Sequence, residues 1–328
     1  MNRYYKNYIL ALVATVFSVL VAVYSINRVV DPMWYFGGNK ISPVNFTYNE
    51  RLSKTNNFLN RIEDIDCIIF GSSRTTLLDE RSIEGYTCFN YSFSQGNIDE
   101  YIYFSDYLSG FGINPSLVVI GLDDYNFNKK GLPDNVPEFV REHEPPPSHF
   151  KTYLSLDALQ FSIRTLLGLS PLPRFYNEDL IAQVRDDAPV YKPKIRDRAW
   201  VKPRYDTIDK LKLLVSYFPG ARVIAFSPPI SAWRVAEKGD EEFEHYLEGV
   251  YSSSEVVSSF YDFTLPSKIT RAVNNTYDGH HYSVAINNLI ADKLNEKEVG
   301  FGINVHELNR ADYFSVMKDA RRKFVDGI

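Results

Sequence analysis

The chain has 328 residues, of which 45% are hydrophobic and 23% charged, and its formal net charge is −5. This composition is typical of a globular protein with a large core, and the length permits one or two domains. Because the charge shows no basic excess, we exclude nucleic acid as the main partner.

The first predicted element is an apolar helix over residues 7–27, which carry no charged side chain. At about 1.5 Å per residue this run crosses the ~30 Å hydrocarbon core of a bilayer. Arg3 and Lys6 precede it, so we expect residues 1–6 in the cytoplasm and the rest of the chain outside the cytoplasm. A cleaved signal peptide is the alternative, against which the bulky Val23 and Tyr24 at the end of the run argue.

The pattern that follows predicts an α/β domain. Residues 28–62 are polar and irregular, with a helix over 48–61, and indicate a stalk. From residue 63 to residue 295, short apolar runs that end in polar residues alternate with helix-length stretches, which is typical of parallel strands. We therefore predict a three-layer, doubly wound parallel sheet. Its strands are expected at residues 66–70, 87–91, 117–121, 221–226 and 257–263.

Two further segments complete the predicted organisation. Residues 127–200 contain a proline run, mixed charges and one amphipathic helix, and are interpreted as an insertion on the site side of the domain. Such insertions set specificity or contact partners, although a plain surface excursion is an equal alternative. Residues 296–328 are predicted to be a C-terminal tail with an amphipathic helix.

The two cysteines, Cys67 and Cys88, fall in the first and second predicted strands. An oxidising compartment would permit a bridge between them if the strands are neighbours. Adjacent parallel strands rarely offer suitable geometry, however, so the expectation is two buried thiols.

Polar residues at the strand ends predict the site, because ligands bind beyond the carboxyl ends of the strands in a doubly wound sheet. Ser73 follows the first strand, and Asp278 and His281 precede the last helix of the domain. A serine becomes a nucleophile when a base takes its proton, and a carboxylate that orients a histidine makes that histidine a better base. We predict these three roles for Ser73, His281 and Asp278, with the adjacent His280 as an alternative base. The alternative is structural, with Ser73 as a helix cap and the other residues as parts of a surface loop.

Two motifs carry a resemblance that covers residues 63–295: Gly71-Ser72-Ser73 and Asp278-Gly279-His280-His281. With them the chain resembles the SGNH (GDSL-like) hydrolase superfamily. In particular it resembles the membrane-anchored bacterial branch of that superfamily, which includes alginate O-acetylation proteins and the D-alanine transfer protein of teichoic acid synthesis. This likeness implies an anchor in a bacterial cytoplasmic membrane and a globular domain in the periplasm. The resemblance implies a serine O-acyltransferase or esterase that acts on a cell-envelope or exported polysaccharide without a cofactor. An integral-membrane acyltransferase that delivers the acyl group is the implied partner.

The oxyanion-binding positions depart from the family pattern. Where the family has Gly and Asn, this chain has Ser92 and Asp123. The backbone amide of Ser92 is still a candidate donor, whereas a carboxylate at position 123 repels a developing oxyanion. The Ser73 amide, Asn97 and Asn126 are the candidate substitutes, and Arg74 is expected to hold an anionic or acyl group.

No metal site is predicted. Asp123 and Asp124 have no His or Glu at ligand spacing, and His143 and His149 are isolated loop histidines. The altered position 123 keeps a second function open, that of a catalytically silent domain that binds glycan or acts as a scaffold in a polysaccharide export machine.

Overall fold

The computed structural model describes residues 3–46, 48–128, 134–170, 172–195 and 202–327. Two compact units are present: Met1–Asn60 with Glu144–Leu180, and Arg61–His143 with Ile181–Ile328. Residues 1–2 of the predicted cytoplasmic segment, and residues 129–133, 171 and 196–200 of the predicted insertion, lie outside the described residues.

The helices and strands are as follows in chain order. The helices are α1 (Arg3–Val30), α2 (Glu50–Arg61), α3 (Ile98–Ser109), α4 (Glu138–Arg141), α5 (His149–Tyr153), α6 (Leu156–Leu166), α7 (Thr207–Ser216), α8 (Ala232–Ala236), α9 (Asp240–Ser254), α10 (Lys268–Arg271), α11 (Val284–Leu294) and α12 (Arg310–Val325). The strands are β1 (Cys67–Phe70), β2 (Cys88–Asn90), β3 (Leu117–Gly121), β4 (Arg174–Tyr176), β5 (Ala182–Val184), β6 (Arg222–Ser227), β7 (Ser259–Asp262) and β8 (Ile303–Asn304).

The second unit is built on a six-stranded sheet in the order β2-β1-β3-β6-β7-β8. The first five of these strands pair in parallel, and β8 pairs antiparallel with β7. Every residue of β1 and β3 is buried, as expected for strands covered on both faces. The predicted α/β class with a mostly parallel sheet and helices on both sides is confirmed, whereas the antiparallel edge strand was not predicted.

Alternation along the strands sends successive side chains to opposite faces. On one face Ile69, Val119 and Ile224 belong to a core cluster that also contains Ile286 and Ile290 of α11. On the other face the Phe70 ring lies 5.8 Å from that of Tyr101 in α3 and 6.1 Å from that of Phe218 after α7. The carboxyl ends of the parallel strands are thereby held at one edge of a rigid sheet.

Residues 296–328, the predicted C-terminal tail, fall in this second unit. In α12 Tyr313, Met317 and Phe324 are buried. The Tyr313 hydroxyl donates to the buried Asp262 carboxylate of β7 at 2.6 Å. Burial of these side chains ties the end of the described chain to the sheet.

The first unit contains the apolar helix. Helix α1 extends the predicted run of residues 7–27 at both ends, and it is long and apolar enough to cross a membrane, although a signal sequence has the same properties. The amide of Asn27 near its end donates to the Tyr153 carbonyl at 2.8 Å and accepts from the Ser162 hydroxyl at 2.7 Å. Residues 28–60, most of the predicted stalk, fall in one compact unit with α1 and residues 144–180.

Cys67 and Cys88 form a disulfide, so the expectation of two buried thiols is wrong. The two residues are direct register partners at the starts of β1 and β2, with Cα atoms 4.2 Å apart. Side chains that are opposite each other on neighbouring strands point to the same face of the sheet, which brings the two sulfur atoms together. The sequence reveals the two strands but not this register.

Candidate active site

Ser73, His281 and Asp278 meet in one hydrogen-bonded row. The Ser73 Oγ lies 2.8 Å from His281 Nε2, and His281 Nδ1 lies 2.7 Å from Asp278 Oδ2. With the Nδ1 proton donated to the carboxylate, Nε2 is the acceptor for the serine hydroxyl. The three side chains that the sequence singled out thus have the mutual geometry of a nucleophile, a base and an orienting group.

Asp278 is fixed through both of its oxygen atoms. Its Oδ1 accepts the backbone N–H groups of His280 and His281, each at 2.9 Å, while Oδ2 holds the imidazole. Burial alone would raise the pKa of Asp278, but the hydrogen bonds from His281 and the backbone outweigh burial and lower the pKa below its usual range. The carboxylate therefore stays ionised and keeps the ring in one tautomer.

The loop that carries Asp278 and His281 needs glycine at position 279. Gly279 has a φ of +85°, and a Cβ there would lie 2.7 Å from the Tyr191 ring. The Tyr277 ring lies parallel to the His281 ring with centroids 5.2 Å apart. This stacked ring limits the rotation of the imidazole.

His280 has a different role from that of its neighbour. Its Nδ1 lies 3.0 Å from the Nη2 of Arg74, which donates to it. Burial, and secondarily the nearby Arg74 charge, lower the pKa of His280 to about 3. The imidazole is therefore neutral at neutral pH, and the structure places His281 rather than His280 against Ser73.

Arg74 is bound to protein carboxylates, although it was expected to hold an anionic or acyl group. Its Nε lies 3.0 Å from Asp123 and its Nη1 lies 3.1 Å from Asp124, which also binds Lys238 at 2.6 Å. Burial raises the pKa of Asp123, and the Arg74 charge acts against this. Although burial also opposes ionisation of Asp124, Lys238 and Arg74 hold the pKa of Asp124 well below its usual range. The carboxylate at position 123, which was expected to repel an oxyanion, is paired with a cation.

Two of the candidate oxyanion donors are already occupied. The Ser92 N–H donates to Asn90 Oδ1 at 3.0 Å. The Asn126 side chain accepts from the Ile98 N–H at 3.0 Å and donates to the Asp123 carbonyl at 3.2 Å. Both residues therefore fix the loops that follow the strands.

Asn97 differs from these two. Its Oδ1 caps α3 by accepting from the Asp99 N–H at 3.1 Å, whereas its Nδ2 makes a long contact of 3.5 Å with the Gln95 carbonyl. A Cβ on the preceding Gly96 would lie 2.6 Å from the Gly71 carbonyl, so this turn packs against the end of β1. The donor side of Asn97 therefore makes a longer hydrogen bond than the donors of Ser92 and Asn126.

A pocket of about 270 Å³ lies against His281. Sequence reasoning missed the wall formed by residues of the segment 184–191, because that segment shows no periodicity or motif that would mark it. Among the residues that the structure describes, the lining includes no Asp, Glu, Lys or Arg. They are Val184, Ala188, Pro189, Val190, Tyr191, Val273, Asn274, Asn275, Thr276, Tyr277, His281 and Ser283. A neutral, largely apolar group is the ligand that such a lining favours.

The histidines considered as metal ligands have other partners. His143 Nε2 lies 3.1 Å from Asp106, and His149 Nδ1 lies 2.8 Å from the Tyr24 hydroxyl. Among the described residues, no group of three or more His, Cys, Asp or Glu side chains is placed to hold a metal ion.

Comparison with known proteins assigns no family. The chain matches no protein-family model and no curated protein. Inferences about function therefore depend on the residues themselves and on the geometry of the row formed by Ser73, His281 and Asp278.

Proposed function

We propose that the chain is an SGNH-type serine acyltransferase or esterase that acts on acyl groups of a cell-envelope or exported polysaccharide. The observation that supports this is the row in which Ser73 Oγ lies 2.8 Å from His281 Nε2 and His281 Nδ1 lies 2.7 Å from Asp278. Such a row activates a serine hydroxyl at neutral pH.

In the first half-reaction Ser73 Oγ attacks the ester carbonyl carbon while its proton passes to His281 Nε2. Asp278 stabilises the imidazolium that forms. When the tetrahedral intermediate collapses, the bond to the alcohol oxygen breaks, and that oxygen takes the proton from His281. The products are an acyl-serine and a free alcohol.

In the second half-reaction a water or a sugar hydroxyl gives its proton to His281 and attacks the acyl-serine. The bond to Ser73 Oγ breaks and the serine regains its proton. Hydrolysis and transfer differ only in this second nucleophile. An esterase and an acyltransferase therefore use the same three side chains.

For the oxyanion we propose the Asn97 Nδ2 as a side-chain donor, together with the Ser73 backbone amide. Donors aimed at the developing charge contribute about 10²–10³ in kcat each. The pairing of Asp123 with Arg74 removes much of the repulsion that an isolated carboxylate would exert. Asn97 is thus proposed for the function that the family assigns to Asn at the position of Asp123.

The pocket against His281 is proposed to hold the alcohol side of the ester. His281 must deliver its proton to the alcohol oxygen, so the group attached to that oxygen lies beside the imidazole. Since the described part of the lining carries no Asp, Glu, Lys or Arg, a neutral sugar ring fits better there than a uronate. The Tyr191 and Tyr277 side chains offer apolar surface for the C–H face of such a ring.

We further propose that α1 anchors the chain in the cytoplasmic membrane with the remainder in the periplasm. The Cys67–Cys88 disulfide supports this placement, because disulfides persist in oxidising compartments. By resemblance, an integral-membrane acyltransferase is the proposed source of the acyl group.

The test is incubation of the purified full chain with p-nitrophenyl acetate, followed by intact mass and product release. We expect an acetyl adduct and turnover in the wild type, and neither in Ser73→Ala. The neighbouring Ser72→Ala is the matched control, which should keep the adduct. Comparing an acetylated neutral methyl glycoside with the corresponding glycuronate tests the pocket, and equal rates would refute the assignment to a neutral ring.

A catalytically silent glycan-binding or scaffold protein is the second candidate. The capture of the Ser92 amide by Asn90 favours it, because that backbone donor is not directed at an oxyanion. Absence of both adduct and product release in the wild type would leave this second function as the better one.

A further inference from the structure

Helix α6 buries small side chains and exposes three large apolar ones, Leu156, Ile163 and Leu166, while Leu159 and Phe161 are half-buried. Ala158, Ser162 and Thr165 are its buried residues. Leu156 is 78% exposed, and Leu167, directly after the helix, is 65% exposed. A surface helix of a water-soluble protein shows the opposite pattern, with the large apolar residues turned to the core.

The small face of α6 packs against α1. The Ser162 hydroxyl donates to the Asn27 side chain at 2.7 Å, and both residues are fully buried. Small residues at the contact and polar side chains that bond across it are typical of helix pairs in membranes. In such pairs the large apolar residues face lipid.

The exposed apolar surface continues into α5 and from there to the end of α1. Phe150 and Leu154 are exposed, and the Phe150 ring stacks on the Tyr24 ring at 5.2 Å. Tyr24 lies at the end of the apolar run of α1, where aromatic side chains mark the boundary of the hydrocarbon core. The surface on α5 and α6 is therefore continuous with the surface by which α1 would contact lipid.

The remaining face of α6 is polar. Asp157, Gln160 and Arg164 are exposed and recur at helical spacing beside the apolar stripe. With 11 residues, α6 is far shorter than the roughly 20 residues that a spanning helix needs. A short helix with an apolar stripe and an adjacent polar stripe is suited to lie in the membrane interface.

We propose that α6, together with Phe150 and Leu154, is an interfacial membrane segment whose apolar stripe is immersed in lipid. The stripe consists of Leu156, Leu159, Ile163, Leu166 and Leu167. The proposal depends on α1 being retained as a membrane helix and is independent of any catalytic activity. In this proposal the predicted insertion, residues 127–200, provides a surface that contacts lipid.

Spin labels on the full chain in protein-free phospholipid vesicles test this proposal. Ile163→Cys and Leu167→Cys can be labelled selectively, because both native cysteines are closed in the disulfide. The measured quantity is the ratio of collision rates with oxygen, which partitions into lipid, and with a water-soluble nickel chelate. Asp157→Cys on the polar stripe and Leu213→Cys, an exposed leucine of α7, are the controls.

We expect the ratio at positions 163 and 167 to be several-fold higher than at 157 and 213. Adding Leu156→Glu and Ile163→Glu to Leu167→Cys should lower its ratio to the level at Leu213→Cys. Equal ratios at 167 and 213 would overturn the proposal. Because the vesicles contain no other protein, a stripe that binds a membrane-protein partner instead of lipid would also give equal ratios, and the proposal would then be wrong.

Discussion

The side chain of Asn97 combines two functions in one residue. Its Oδ1 caps α3, and its Nδ2 is the proposed oxyanion donor. The two atoms can be separated by mutation, because an aspartate keeps the acceptor and loses the N–H donors.

We expect Asn97→Asp to lower kcat by about 10²-fold or more, with the stability of the fold retained, because a carboxylate also caps a helix. Asn97→Ala should lower both kcat and the melting temperature. Kinetics with p-nitrophenyl acetate and thermal unfolding check this. If Asn97→Asp keeps full kcat, the proposed donor is another group.

His280 makes the stability of the fold depend on pH. Its pKa is about 3 in the folded chain, and an unfolded histidine has a pKa of about 6.5. Between these values the unfolded chain binds a proton that the folded chain does not. The free energy of unfolding therefore falls as the pH drops below about 6.5, by at most about 1.4 kcal/mol per pH unit.

The variant His280→Gln cannot bind this proton in the unfolded chain, and its amide oxygen can still accept a hydrogen bond from Arg74. We expect its free energy of unfolding to fall by roughly 1–2 kcal/mol less than that of the wild type between about pH 7 and pH 5. Urea unfolding at both pH values measures the difference. The same loss in both proteins would show that His280 does not stay neutral in the folded chain.

At the scale of elements, the Cys67–Cys88 disulfide joins strands β1 and β2 covalently. The cysteines are separated by 21 positions, and a loop of that size gives about 3 kcal/mol of stabilisation by the chain-entropy estimate. The Cys67→Ala, Cys88→Ala double variant should lose that amount of unfolding free energy. Reductant should lower the stability of the wild type and leave the double variant unchanged. A wild type insensitive to reductant, even when unfolded and refolded in its presence, would contradict this.

Elements with a strong local pattern could be predicted from sequence. The five predicted strands correspond to β1, β2, β3, β6 and β7, and the predicted last helix of the domain corresponds to α11. The predicted bounds of β3 (Leu117–Gly121) and α11 (Val284–Leu294) are those observed. Such elements can be predicted because a continuous apolar run or a helical periodicity is a pattern of neighbouring residues. Strand register is a pairing of distant residues, so the contact of Cys67 with Cys88 could not be inferred. The two-residue β8 is too short to leave any pattern.

In the site, too, some features could be predicted from local sequence and others depend on contacts between distant residues. Ser73, Asp278 and His281 could be predicted, because residue chemistry and the strand-end rule both point to them. The hydrogen bond from the Ser92 amide to the Asn90 side chain depends on one side-chain rotamer, which no sequence pattern predicts. Tyr191 and the other pocket residues of the segment 184–191 come from a part of the chain without periodicity.

For the whole molecule, the proposed orientation places residues 1–6 and the α/β unit on opposite sides of the membrane. The positive charges of Arg3 and Lys6 favour this proposed orientation by the positive-inside rule. A membrane-impermeant maleimide should label Leu213→Cys in spheroplasts. Asn2→Cys should react only after the membrane is permeabilised. The reverse pattern would mean that the chain is inverted, and labelling of both would mean that the segment does not span.

The Cys67–Cys88 disulfide also encloses Ser73, the proposed nucleophile, in a ring of covalent bonds. Trypsin releases a peptide between Arg61 and Arg74 that contains both Cys67 and Ser73. Unless the sulfur atoms are first separated, that fragment stays attached to the fragment with Cys88, as a branched species. A mass search limited to linear fragments would miss an acylated serine even in a fully modified sample.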